Sequence, residues 1–100
     1  MTKLDSVQEI IKKERLYLST EYGIKKIGVF GSVTRQTEHD DSDIDITIEL
    51  AQPLGLKFNE LVEYFELLLN TKVDVLTKDG INNIRNKKIS DDIKRTIIYV

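Results

Sequence analysis

Polar and apolar residues alternate most regularly between Asp43 and Leu50. Asp43, Asp45, Thr47 and Glu49 fall on one side of an extended chain, and Ile44, Ile46, Ile48 and Leu50 on the other. This pattern predicts a strand that buries one face and offers carboxylates on the other, with Asp43 and Asp45 roughly 7 Å apart along the backbone. Elsewhere the period lengthens. Val7, Ile10, Ile11 and Leu18 share a helical face, which predicts a helix over 5–21. Asp5 or Ser6 caps it, Glu9 stands where a capping box with Ser6 requires it, and Gly23 ends it. Residues 24–30, IKKIGVF, read as a first strand, in which Gly28 marks a bulge or a close backbone approach.

After the alternating strand, Pro53 and Gly55 break the chain. Phe58, Leu61, Val62, Phe65, Leu68 and Leu69 then follow helical spacing as far as Asn70, and their aromatic rings belong to the core. Residues 72–77 predict a third strand with Val73 and Val75 facing away from Asp74, and KDGINN over 78–83 reads as a loop or short turn. A last helix is expected from Ser90, with Asp91 and Asp92 in its first turn, Ile93 and Ile97 on its inner face and Ile89 preceding it. The chain closes on Ile97-Ile98-Tyr99-Val100, apolar enough to pack on the body or to extend into a partner. The order helix, strand, short helix, strand, helix, strand, helix implies an α/β sandwich. Its sheet is small, mixed and of three strands or slightly more, with helices packed on one side.

The totals narrow the class. One hundred residues make one domain, and 40% hydrophobic with 32% charged residues is a globular composition. No apolar run approaches the ~20 residues of a membrane span, so no membrane association is expected. The absence of cysteine excludes disulfides and thiolate metal sites, and with no secretory apolar segment the expected setting is the cytoplasm. A net charge of −2 argues against direct nucleic-acid binding by phosphate neutralisation. Arg85, Lys87, Lys88, Lys94 and Arg95 do gather near the C-terminus. They form either a solvated helix face shared with Asp91 and Asp92, or a surface for an acidic partner or a nucleotide's phosphates.

The candidate chemistry sits between the first two strands. Glu38, Asp40, Asp41, Asp43 and Asp45 crowd into eight positions. Two carboxylates held about 5 Å apart repel by roughly 3 kcal/mol at an effective dielectric near 20, and a hard cation such as Mg²⁺ relieves that repulsion. Asp74, in the middle of an apolar strand, needs a metal or a salt-bridge partner. Gly31-Ser32 is either a phosphate-binding turn or a plain strand-to-helix turn capped by Ser32, with residues 32–36 starting a short helix. Arg35 faces phosphate or the acidic loop. His39 reads as a solvated loop residue rather than a ligand or base, and Ser42 as a residue that hydrogen-bonds the backbone or orients Asp43. A calcium EF-hand starting at Asp41 fails, because Ile46 and Gln52 stand where Gly and Glu are required.

Gly31-Ser32, ten residues, then Asp43-x-Asp45 resembles the signature of the DNA-polymerase-beta-like nucleotidyltransferase superfamily. Gly31-Ser32-x-x-Arg35 followed by Ser42-Asp43-Ile44-Asp45-Ile46 resembles its minimal nucleotidyltransferase branch, and Asp74 in Lys72-Val73-Asp74-Val75-Leu76 matches the third carboxylate. The likeness runs from about Ser6 to Val100. Gln36 departs from it, since a Gly often follows the arginine in that family. The resemblance implies one minimal nucleotidyltransferase domain over 1–100, in which Asp43, Asp45 and Asp74 are catalytic and hold two Mg²⁺ ions. Gly31, Ser32 and Arg35 would bind the nucleotide triphosphate. It further implies transfer of AMP from ATP to a hydroxyl, a tyrosine, of a partner HEPN-domain ribonuclease toxin, with this chain as antitoxin. A chain this short is expected to supply the catalytic half while another protein brings the acceptor. The alternatives are a catalytically silent antitoxin that neutralises by binding alone, and a transferase acting on a small molecule or an RNA end.

Overall fold

A computed structural model describes residues 3–31 and 43–100. Its elements are α1 (Lys3–Lys13), α2 (Arg15–Tyr22), β1 (Ile24–Phe30), β2 (Ile44–Leu50), α3 (Lys57–Leu69), β3 (Val73–Thr77), α4 (Lys78–Asn82), α5 (Lys87–Thr96) and β4 (Ile98–Tyr99). The four strands lie in the order β3-β2-β1-β4. β2 runs parallel to β3, while β1 runs antiparallel to both β2 and β4, so the sheet is mixed.

The alternation in β2 does what its period predicts. Ile44, Ile46 and Ile48 are at most 2% exposed and meet Ile27 and Val29 of β1 on one face. Against that face pack Val7 and Ile11 of α1, Leu18 and Tyr22 of α2, and Leu61 and Phe65 of α3. Each fully buried side chain of this kind contributes about 1.5–3 kcal/mol. A shift in pairing between Ile24 and Lys26 explains how residues three apart in β1, Ile24 and Ile27, both reach this core. The irregularity expected at Gly28 therefore lies earlier. Gly28 instead shows the close approach, since a Cβ there would stand 2.7 Å from the Ile97 side chain.

Three expectations change. The single helix over 5–21 starts at Lys3, which puts Asp5 and Ser6 inside it rather than at its cap, and it is broken at Glu14, whose φ of −99° and ψ of 3° interrupt it. The run Lys12-Lys13-Glu14-Arg15 has no apolar residue to hold that turn against the sheet, and Glu14 instead accepts a 2.9 Å hydrogen bond from the Tyr64 hydroxyl. KDGIN is a helical turn, capped by Thr77, whose hydroxyl accepts from the Gly80 N–H at 2.9 Å. The last helix starts at Lys87, because the Asn86 side chain caps it by accepting from the amides of Lys88 and Ile89. Ser90 is buried within that helix and donates to the Ile81 carbonyl at 2.8 Å.

The apolar terminus packs on the body as β4, and the Val100 N–H donates to Ile27 O at 2.8 Å. α4 and α5 lie over part of the sheet face opposite the core, α4 against β2 and β3 and α5 against β1. Among the described residues no helix is long and apolar enough to cross a membrane.

Candidate active site

β2 and β3 join where the Ile44 N–H donates to Lys72 O at 3.1 Å, and parallel pairing follows from Ile44 opposite Val73 to Ile48 opposite Thr77. That register sets Asp45 beside Asp74. Paired residues of adjacent parallel strands share a face, and the strands stand about 4.8 Å apart. Asp45 and Asp74 therefore lie side by side on the face away from the core. Asp45 is half-buried and Asp74 exposed. Asp43 precedes the first paired residue of β2 and is exposed.

On the other side of Asp45, β1 ends at Phe30, its pairing partner, and turns at Gly31. Gly31 has a φ of +77°, a left-handed value that disfavours any side chain. A Cβ at this position would also run into the Asp45 carboxylate. The glycine is thus required for both reasons, and the backbone passes directly against the acid. The Gly31 N–H donates to Thr96 Oγ1 at 3.4 Å, and the Thr96 hydroxyl donates to Ile93 O at 2.9 Å. Phe30, Gly31 and Asp45 form one wall of a cleft of about 480 Å³, with Ile93, Arg95 and Thr96 of α5 opposite. Arg95 pairs with Asp92 at 3.5 Å on the same helix.

The donor chemistry here suits a hard divalent cation, since Asp45 and Asp74 offer only carboxylate oxygens from matched positions. Among the described residues no group of three or more His, Cys, Asp or Glu side chains is close enough to hold a metal ion. The expected meeting of Asp43, Asp45 and Asp74 is therefore seen as a register pair with Asp43 beside it, before the strand ladder that would fix its direction. Ser32 and Arg35 lie outside the described residues, as do Glu38, His39, Asp40, Asp41 and Ser42.

Residues 10–99 match the family described as Nucleotidyltransferase domain. The chain belongs to this nucleotidyltransferase family. It is 38% identical, over the whole of both chains, to a Methanocaldococcus jannaschii protein named "Putative protein adenylyltransferase MJ1217". It is 35% identical to protein adenylyltransferase MntA of Thermococcus cleftensis, covering 100% of this chain and 98% of the other. Among solved structures, one described as a "putative minimal nucleotidyltransferase" superposes with a TM-score of 0.70 at 23% identity, over 98% of this chain and 95% of that one. A toxin–antitoxin crystal structure with AMP-PNP superposes with a TM-score of 0.65 at 21% identity, over 87% of this chain and 69% of that one. The mixed sheet with its packed helices is thus the minimal nucleotidyltransferase fold.

Within this nucleotidyltransferase, α5 supplies a wall of the cleft that sequence reasoning did not single out. The sequence places Arg95 in a basic group that is either a solvated helix face or a surface for an acidic partner or a nucleotide's phosphates, and Ile93 on the inner face of the helix. Thr96 carried no signal at all, because its contact with Gly31 joins positions 65 residues apart.

Proposed function

We propose that this chain is a Mg²⁺-dependent nucleotidyltransferase that moves AMP from ATP to a hydroxyl, a tyrosine, of a partner HEPN-domain ribonuclease toxin, and so serves as its antitoxin in the cytoplasm. One observation carries the reading: Asp45 and Asp74 are paired in register beside a glycine whose backbone lies against Asp45. The end-to-end likeness to proteins named adenylyltransferases, and the shared fold with a toxin–antitoxin structure, support the choice of nucleotide and partner.

In this reading Asp43 and Asp45 would hold two Mg²⁺ ions, with Asp74 helping to hold one of them. When bound, such ions lower the pKa of an attacking hydroxyl and neutralise a triphosphate. Gly31 lets the backbone approach the phosphates, while Ser32 and Arg35 bind their oxygens. The acceptor oxygen bonds to the α-phosphorus, the bridging bond to the β-phosphate breaks, pyrophosphate leaves and the hydroxyl proton passes to water. The half-open position of Asp45 leaves its carboxylate reachable from the cleft. No role for nucleic acid is needed.

The test is to incubate the chain with the partner toxin, ATP and Mg²⁺ and to weigh the intact partner. A gain of one adenylyl group (AMP less one water) per transfer is expected, lost when Asp43 and Asp45 are both replaced by Asn. No gain with the cognate partner would sink the reading. A second reading, a silent antitoxin that neutralises by covering its partner, is favoured by the absence of a gathered three-carboxylate cluster among the described residues. The same double variant separates the two, since a pure binder still neutralises.

A further inference from the structure

We infer that the sheet face bearing Asp45 holds a second, separate pocket suited to a phosphate-sized oxyanion. The pocket has a volume of about 140 Å³ and shares no lining residue with the cleft beside Asp45. Thr47 and Glu49 of β2 line it, with Lys26 of β1, Lys78 of α4, Lys94 of α5 and Tyr99 of β4.

Three features converge on an anion. The first is charge. Lys26, Lys78 and Lys94 line the pocket with Glu49 as its one carboxylate, an excess of two formal positive charges. Glu49 is shared between Lys26 at 4.0 Å and Lys78 at 3.5 Å, while Lys94 has no ion-pair partner among the described residues. The second is an unmatched hydroxyl. Thr47 is 4% exposed, and among the described residues its hydroxyl makes no hydrogen bond. Its methyl group is the part that faces β1, 3.1 Å from where a Cβ on Gly28 would stand. A buried hydroxyl without a partner is costly, and an oxyanion can accept a hydrogen bond from it. The third is size. The volume is well below the roughly 300 Å³ at which pockets begin to take drug-sized ligands, so a whole nucleotide does not fit while a single phosphate does. Lys26 also stands 5.9 Å above the Tyr99 ring, which favours keeping its stem against the pocket wall. The inference does not depend on the transferase reading.

The ligand is either free orthophosphate or the terminal phosphoryl group of a larger molecule whose body stays outside. The full chain is titrated with sodium phosphate against chloride at matched ionic strength, and its amide resonances are followed. Saturable shifts are expected at Thr47, Glu49, Lys78 and Lys94, whether or not Gly31 and Asp45 also respond. Lys94→Gln should weaken binding by about fivefold or more. Thr47→Val should raise the melting temperature without phosphate, because a methyl needs no partner, and should shrink the rise that phosphate gives. AMP used in place of phosphate assigns the source: the same shifts point to a carried phosphoryl group, and their absence to the free ion. No saturable shift with phosphate, shifts confined to Gly31 and Asp45, or unchanged affinity in Lys94→Gln would overturn the inference.

Discussion

The two faces of β2 are made from the same seven residues and behave in opposite ways. Ile44, Ile46 and Ile48 are sealed beneath three helices, and their environment is hydrocarbon. Asp45 and Glu49, one step away in sequence, are half-buried under a partial cover made by α4 and α5. The strand's period of two thus assigns stability to one face and chemistry to the other, and a one-residue slip would exchange them. The incomplete cover has a reason. Burying an ion without a partner is costly, whereas a carboxylate at a cleft stays hydrated until a ligand displaces the water.

Substitutions on adjacent residues test this division most sharply. Asp45→Asn is expected to reduce AMP transfer by about a thousandfold, roughly 4 kcal/mol of transition-state stabilisation, with little change in melting temperature. Radiolabel incorporation into the partner and a thermal melt together check it. Ile46→Ala should do the reverse, costing about 3 kcal/mol in urea denaturation while the folded fraction keeps its activity. If both variants fail in the same assay, the two faces are not separate in function.

Gly31→Ala joins the faces. Its Cβ would meet the Asp45 carboxylate and its φ would be strained, so a stability loss of about 2 kcal/mol should accompany a loss of transfer. An active, fully stable Gly31→Ala would remove the glycine from the argument.

The smallest effect belongs to the helical layer. The Tyr22 and Tyr64 hydroxyls are pushed up from 10.0 to about 12, first by burial and then by the neighbouring Glu60 and Glu14 carboxylates respectively. The folded chain therefore keeps protons that the unfolded chain has lost above pH 10. Stability from these groups is full below pH 10 and falls as pH rises towards 12. Tyr64→Phe should cost about 1 kcal/mol at neutral pH by losing its 2.9 Å bond to Glu14, and should flatten the alkaline decline. A decline as steep as that of the wild type would place its origin elsewhere.

Local signals were legible wherever the competing choices differed locally. Asn70 ends α3 in the left-handed conformation, at φ 54°, and Gly23 ends α2 at φ 67°, as their residue types suggest. The start of α5 was not legible in the same way. Asn86 and Ser90 are both good caps, and the choice rests on Ser90 finding the Ile81 carbonyl nine residues away. Likewise the break at Glu14 depends on Tyr64, 50 residues distant.

The amino-acid order alone settled the elements of the sheet's centre, the division of β2 into an apolar and an acidic face, and the family signature in Gly31 and Asp45. These depend on periods of two and 3.6 and on single-residue backbone preferences, all of which are local. Folding in three dimensions decided that Asp74 stands beside Asp45, that Thr96 meets Gly31, and that Lys26, Lys78 and Lys94 surround one pocket. Those groups come from segments far apart along the chain. Only the pairing of β2 with β3, and the return of α5 across the sheet, brings them within reach of one another.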